Sequence, residues 1–191
     1  MLIHRLLLAA LLIIVSAPLA LAQDQQQEEK PADQEKKKEK VDPIDFRKLR
    51  DALPDDIAML KRTERQGERM SMGEFHVTVA RGEYKLKDAG DDAPSANIEV
   101  QDYGAMPDVL EGLTYWTQIE VDREGDDGYQ RTVKIKGFPA MEQYRTESRD
   151  GEVQALVAER FFVTFNARNV SQEQFEQIVK ALPLEKFAEL K

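Results

Sequence analysis

Apolar and polar residues alternate repeatedly between residues 75 and 165, and that period of two constrains the fold of this chain more than any other feature. Side chains on an extended strand point to opposite faces in turn, so alternation marks a strand with one face buried. Phe75, Val77 and Val79 alternate with Glu74, His76 and Thr78, and Tyr84 and Leu86 carry the same strand past Gly82. Gly73 and Gly82 read as bulge positions within it. A loop at residues 88–95, DAGDDAPS, precedes a strand through Ile98 and Val100. Ile119 and Val121, then Val133 and Ile135, flank Asp127 followed by Gly128, a pair that tolerates the positive φ of a tight hairpin. Gly137, Phe138 and Pro139 read as a break. A strand at residues 141–146, a hairpin turn at Asp150 and Gly151, and strands through Val153, Val157, Phe161, Val163 and Phe165 complete an antiparallel run.

Helices bracket this run. Asp42 followed by Pro43 reads as an N-cap with proline at the first helical position, and Phe46, Leu49 and Leu53 follow at helical spacing. Ile57, Met59 and Leu60 continue that packed face. At the other end Ser171 and Gln174 form a capping box, with Val170 placed to staple onto Phe175. Phe175, Ile178, Val179 and Leu182 make an apolar stripe, and beyond Pro183 a second short turn carries Leu184, Phe187 and Leu190. A weaker helical stripe lies in the middle of the chain, at residues 106–116. The expected fold class is α+β: an antiparallel sheet with N- and C-terminal helices packed on it as a single layered sandwich.

Two segments of different character come first. Arg5 and the apolar run at residues 6–15, broken by Pro18 and followed by Ala20 and Ala22, have the anatomy of a signal peptide over residues 1–22, cleaved before Gln23. The run is too short to span a hydrocarbon core of about 30 Å. No cysteine follows it to carry a lipid, and no later run is long enough to cross a membrane. Residues 23–41, QDQQQEEKPADQEKKKEKV, are too polar to offset the entropy of folding and read as a disordered charged linker. Residues 42–191 remain as one domain, long enough to build a core without disulfides. The expected location is the periplasm or the space outside the cell.

Composition closes several chemistries. The chain has 191 residues, with Lys+Arg 27 against Asp+Glu 36, a formal net charge of −9, His 2 and Cys 0. Without cysteine there is no disulfide, thiolate zinc site, iron–sulfur cluster or thiol nucleophile. The acidic balance disfavours nucleic acid, whose phosphates are bound by Lys and Arg. No G-x-S-x-G, Walker A, G-x-G-x-x-G or H-E-x-x-H string occurs. His76, the one histidine beyond the signal peptide, belongs on the polar face of its strand. No catalytic residue, metal ligand or cofactor is assigned. The acids crowd residues 83–127, where thirteen of them are answered only by Lys85, Lys87 and Arg123. Asp122, Glu124 and Asp126 there have the alternate spacing of an EF-hand loop, but Asp127 and Val133 stand where that loop needs glycine and glutamate. A strand edge running into an Asp-Gly hairpin explains the same letters.

Residues 106–116 hold the one specific candidate for a site. Met106, Val109, Leu110 and Leu113 fall at helical spacing with Pro107 near the start, and Trp116 joins them on a helix that continues so far. Two readings stand. The stripe is a core helix, or it is a ligand or partner surface, such as a lid over a pocket, for which Met and Trp are adaptable.

The second half of the chain resembles known exported domains. The G-F-P-A string at residues 137–140, the paired strands around Gly151 and the V-S-x-x-Q-F helix start at Val170 are similar to exported bacterial domains of unknown function. In outline they resemble the PsbP-like α/β sandwich of secreted accessory proteins. That resemblance covers about a third of the chain, includes no catalytic motif, and implies a non-enzymatic envelope protein that acts through binding or assembly. The expected function is non-catalytic binding or assembly, with an envelope protein or a small apolar ligand as partner. A carrier of an apolar, lipid-like molecule is the first alternative, and an enzyme built on carboxylates alone is the second.

Overall fold

Nine strands form one antiparallel sheet in the computed structural model, which describes residues 39–87, 90 and 92–191. The signal peptide, the linker through Lys38, and Asp88, Ala89 and Asp91 of the loop lie outside the described residues. In chain order the strands are β1 (Asp56–Ile57), β2 (Leu60–Met72), β3 (Phe75–Leu86), β4 (Ser95–Asp102), β5 (Asp122–Gly125), β6 (Gly128–Ile135), β7 (Phe138–Arg145), β8 (Asp150–Val157) and β9 (Phe161–Arg168). Their spatial order is β1-β2-β3-β4-β9-β8-β7-β6-β5. Two meanders, β1–β4 and β5–β9, therefore meet along β4 and β9, where Ile98 faces Phe165 and Val100 faces Val163. The helices are short: α1 (Phe46–Asp51), α2 (Pro107–Leu113), α3 (Gln172–Ala181) and α4 (Leu184–Ala188), with a 3₁₀ turn at Tyr115–Gln118.

This architecture overturns the expected fold class. Strand accounts for 47% of the described residues and helix for 21%, so the protein is mostly a nine-stranded sheet with a few short helices, not an α+β sandwich with packed N- and C-terminal helices. Much of the difference is β2. Its sequence, LKRTERQGERMSM, is exposed along most of its length on both faces, so no alternation announces it. Pairing with β3 holds it instead, from Leu60 opposite Leu86 to Met72 opposite Phe75. The first helix is also shorter than the spacing predicts. It begins at Phe46, capped by the Asp45 carboxylate, which accepts from the Arg47 N–H at 2.8 Å.

Several turns fall one or two residues from where composition places them. Gly73 (φ +59°) sits in the two-residue turn between β2 and β3 rather than in a bulge. Asp126 and Asp127, not Asp127 and Gly128, join β5 to β6. Lys136 and Gly137 (φ +51° and +87°) turn β6 into β7, so Phe138 and Pro139 open a strand rather than break one. Asp150 and Gly151 open β8 instead of turning.

The main core lies on the face that carries α1, α3 and α4, where Leu49, Tyr84, Ile98, Phe165, Phe175 and Phe187 are fully buried in one cluster. The α3 capping box forms as its sequence predicts, with Gln174 N–H donating to Ser171 Oγ at 3.2 Å and Ser171 N–H donating to Gln174 Oε1 at 2.8 Å. At the end of β4 the buried Asp102 carboxylate accepts from Arg160 Nε and Nη2, both at 2.8 Å. It also accepts from the backbone N–H groups of Ile44 and Gly104. Among the described residues no helix is long and apolar enough to cross a membrane.

Candidate functional site

β4 and β5 lie far apart in the sheet, so the chain between them has to cross it. On β3, Ala80 and Tyr84 belong to the main core, while Val77 and Val79 point to the opposite face and pack there with Met106. The crossing segment continues through α2, and its 3₁₀ turn packs on β7. His76 shares the parity of Thr78, Ala80 and Tyr84, so it lies on the main-core side of β3 and not on a polar face. It is half-buried, and its Nδ1 has no partner among the described residues.

This crossing divides the five residues that the sequence singles out. Met106, Leu110 and Trp116 point inward and are 7%, 3% and 4% exposed. Val109 and Leu113, one turn apart on the adjoining helix face, are 43% and 39% exposed. The helix ends at Leu113, where Thr114 Oγ1 donates back to the Leu110 carbonyl at 2.8 Å, so Trp116 reaches inward from the 3₁₀ turn. Tyr115 and Ile119 extend the exposed apolar strip. Asp108, Glu111 and Glu120 stand exposed along it, and none of their carboxylates has an ion-pair or hydrogen-bond partner among the described residues. Met70, Met72 and Phe75, at the tip of the β2–β3 hairpin, are also exposed and share the face of Val77 by register.

A second feature lies on the main-core side. A groove of about 510 Å³ runs between β6 and α3 and is of mixed charge, with Val133, Ile135 and Val179 as apolar lining, four cations that include Arg131 and Lys180, and the carboxylates of Glu142 and Glu176. At one end the buried Glu142 accepts from the Tyr129 hydroxyl and from Arg131 Nη2 at 3.0 Å. The Arg131 guanidinium lies over the Tyr129 ring, 4.4 Å from its centre. Burial, reinforced by the hydrogen bond to Glu142, pushes the Tyr129 hydroxyl above its ordinary pKa. Burial disfavours charge on Arg131, and the adjacent Glu142 more than offsets it, so that guanidinium is held above its usual value. At the other end Lys136 Nζ donates to Glu185 at 2.8 Å, and that bond holds the exposed Glu185 carboxyl below the ordinary range. Arg131 Nε is buried without an acceptor among the described residues. Lys134 and Lys180 have no ion-pair partner among them either.

Two donors already occupy Glu142, which anchors Arg131, and the ammonium groups of Lys134 and Lys180 are left to solvent beside the carboxylate of Glu176. A larger hollow of about 880 Å³, at the β5–β6 and β7–β8 turns, is likewise lined by charged side chains, among them Arg123, Asp127, Arg145 and Glu147. Asp122 and Glu124 lie on β5 with Asp126 in the turn beyond, and no group of three or more metal-ligating side chains converges among the described residues. Sequence reasoning did not find the groove, because Arg131, Glu142 and Lys180 belong to three separate elements. One signal was available: a two-residue turn at Lys136 and Gly137 sets a register that brings Arg131 opposite Glu142. No family model, curated protein or solved structure matches the chain.

Proposed function

We propose that this is a non-catalytic docking module of the periplasm or the extracellular space, and that its partner is a protein presenting basic and apolar side chains together. The observation that carries this reading is the strip of Val109, Leu113, Tyr115 and Ile119, exposed beside the unpaired carboxylates of Asp108, Glu111 and Glu120. Large apolar side chains gathered at a surface are a mark of interaction sites, and an acidic rim favours a basic counterpart. The carrier reading has less support. Met106, Leu110 and Trp116 are packed inward, and both hollows described above have charged side chains in their lining.

The test places a photo-crosslinking amino acid at Leu113 of the full chain, produced in its own cells, with a second copy labelled at the exposed Gln177 as control. A single protein adduct should form from position 113 and not from 177. It should weaken at high salt and disappear when Asp108 and Glu111 are both changed to Lys. Absence of an adduct at 113, the same adduct from 177, or an adduct indifferent to the charge reversal would overturn the proposal.

A further inference from the structure

The hairpin of β2 and β3 runs on past the rest of the sheet. β4 pairs with β3 only from Lys85 to Thr78, so Met70 to Val77 form a projecting tip. Met70, Met72 and Phe75 are exposed there on one face, Met72 at 80%. The outer edge of β2 is open as well. β1 accompanies it only at Leu60 and Lys61, and just beyond, the Arg62 N–H donates to the Asp55 carbonyl at 2.8 Å. A two-residue turn closes on a hydrogen-bonded pair, here Met72 with Phe75, so Met72, Met70 and Glu68 turn their peptide groups toward β3. Those of Ser71, Arg69, Gly67 and Arg65 turn outward, and no other strand among the described residues lies there to take them. Such an edge is a template for a further strand unless its charges forbid the pairing.

The order of charges along β2 decides where a second copy can add. Antiparallel addition about a two-fold axis normal to the sheet keeps each face with itself and sets one residue of β2 opposite its own copy. Like charges directly opposite repel. An axis at Arg65, Glu68 or Arg69 sets that residue against itself. At Gln66 it sets Glu64 against Glu68, and at Gly67 it sets Arg65 against Arg69. An axis at Met70 brings no like charges opposite. It sets Met70 on Met70, Arg69 on Ser71 and Glu68 on Met72, and it takes up the outward peptide groups of both Arg69 and Ser71. An axis at Ser71 also avoids the repulsion, but Arg69 then falls opposite Gly73 of the turn, outside the ladder. We infer that two copies of this chain pair through the tips of their β2 strands, with Met70 on the two-fold axis and Met70 and Met72 covered. The contact is small and each chain carries net negative charge, so the pair is weak. Salt screens that net repulsion and should strengthen the pair, whereas the docking proposed for the strip at Val109 to Ile119 weakens with salt. The two readings therefore stand or fall separately.

The chain has no cysteine, so a single introduced one reports its own position without background. Under a mild oxidant the full chain carrying Met70→Cys should form a disulfide-linked dimer about tenfold more readily than Ser71→Cys or Met72→Cys, because only residues on the axis meet their own copies. An equimolar mixture of Glu68→Cys and Met72→Cys chains should link where neither does alone. In sedimentation equilibrium the unaltered chain should dimerise weakly and reversibly, and more at high salt. Met70→Glu sets two carboxylates together on the axis, so it should lower the association constant about tenfold or more. Thermal unfolding should stay nearly unchanged in that variant, since Met70 is exposed at the tip. A chain that remains monomeric at every concentration and salt, association indifferent to Met70→Glu, or equal linking through Ser71→Cys would overturn the pairing. So would pelleting of a monomeric chain with phosphatidylcholine vesicles that is lost in Met72→Ser, which would make the tip a membrane contact instead.

Discussion

Tyr84 links two parts of the fold through one side chain. Its ring is fully buried and closes over Gly82, where a Cβ would lie 2.9 Å from the ring. Its hydroxyl donates to the Pro54 carbonyl at 2.9 Å, tying β3 to the turn ahead of β1. Burial pushes the phenol from 10.0 to about 12. Because the folded pKa is the higher one, the unfolded chain ionises first as alkali is added. The contribution of Tyr84 is therefore complete below pH 10 and is lost as the pH rises toward about 12. A difference of that size corresponds to about 2–3 kcal/mol. Urea denaturation measured from pH 8 upward should show stability falling across this window, and Tyr84→Phe should make the fall shallower. An unchanged slope in Tyr84→Phe would place the alkaline loss elsewhere, with the buried Tyr129 as the next group to examine.

At the scale of elements, α3 seats itself on the sheet through a missing side chain. Gly151 of β8 lies opposite Tyr144 of β7, and a Cβ at Gly151 would meet the Phe175 ring at 2.3 Å. The rings of Tyr129, Tyr144 and Phe175 stack in sequence over this spot, at 6.1 and 5.8 Å between centres. Gly151→Ala should cost about 1–3 kcal/mol by overpacking. The same change in a Phe175→Ala background should cost clearly less, because the two residues share one space. Equal costs in the two backgrounds would mean that the ring moves aside freely. The same pair shows what was legible in the sequence. The capping box at Ser171 and Gln174 and the stripe of Phe175, Ile178 and Val179 are local, and α3 forms where they predict. Asp150 followed by Gly151 is an equally local turn signal, yet Gly151 serves a ring that lies far along the chain, and the turn falls before it. β2 was illegible for a different reason, since a strand exposed on most of its length has no hydrophobic period to read. Within the candidate site, the stripe at Met106 and Leu110 was visible. Which of its residues point outward depends on the crossing from β4 to β5, which no local pattern records.

At the largest scale the described residues form two meanders that share one core. Ile98 of the first and Phe165 of the second face each other across the β4–β9 seam, and both belong to the cluster that includes Leu49 of α1 and Phe175 of α3. Neither meander can keep its half buried alone, so the sheet should unfold as one cooperative unit. Asp102 and Arg160 close one end of the seam, and Arg160 Nη2 also donates to the Asp42 carbonyl, holding the start of the described chain against it. Arg160→Met leaves a buried carboxylate without its cation. That should cost about 3–5 kcal/mol out of a total of about 5–15 kcal/mol typical of folded domains. Trp116, the sole tryptophan, lies in the 3₁₀ turn packed on β7 and reports the second meander, while far-UV circular dichroism reports the sheet as a whole. Both signals should shift to lower urea together in Arg160→Met. Adding Asp102→Asn should recover part of the loss, because the buried charge is then gone. Separate midpoints for the two signals would mean that the seam joins two units which fold independently, and that the Asp102–Arg160 pair secures their docking and not the fold of either.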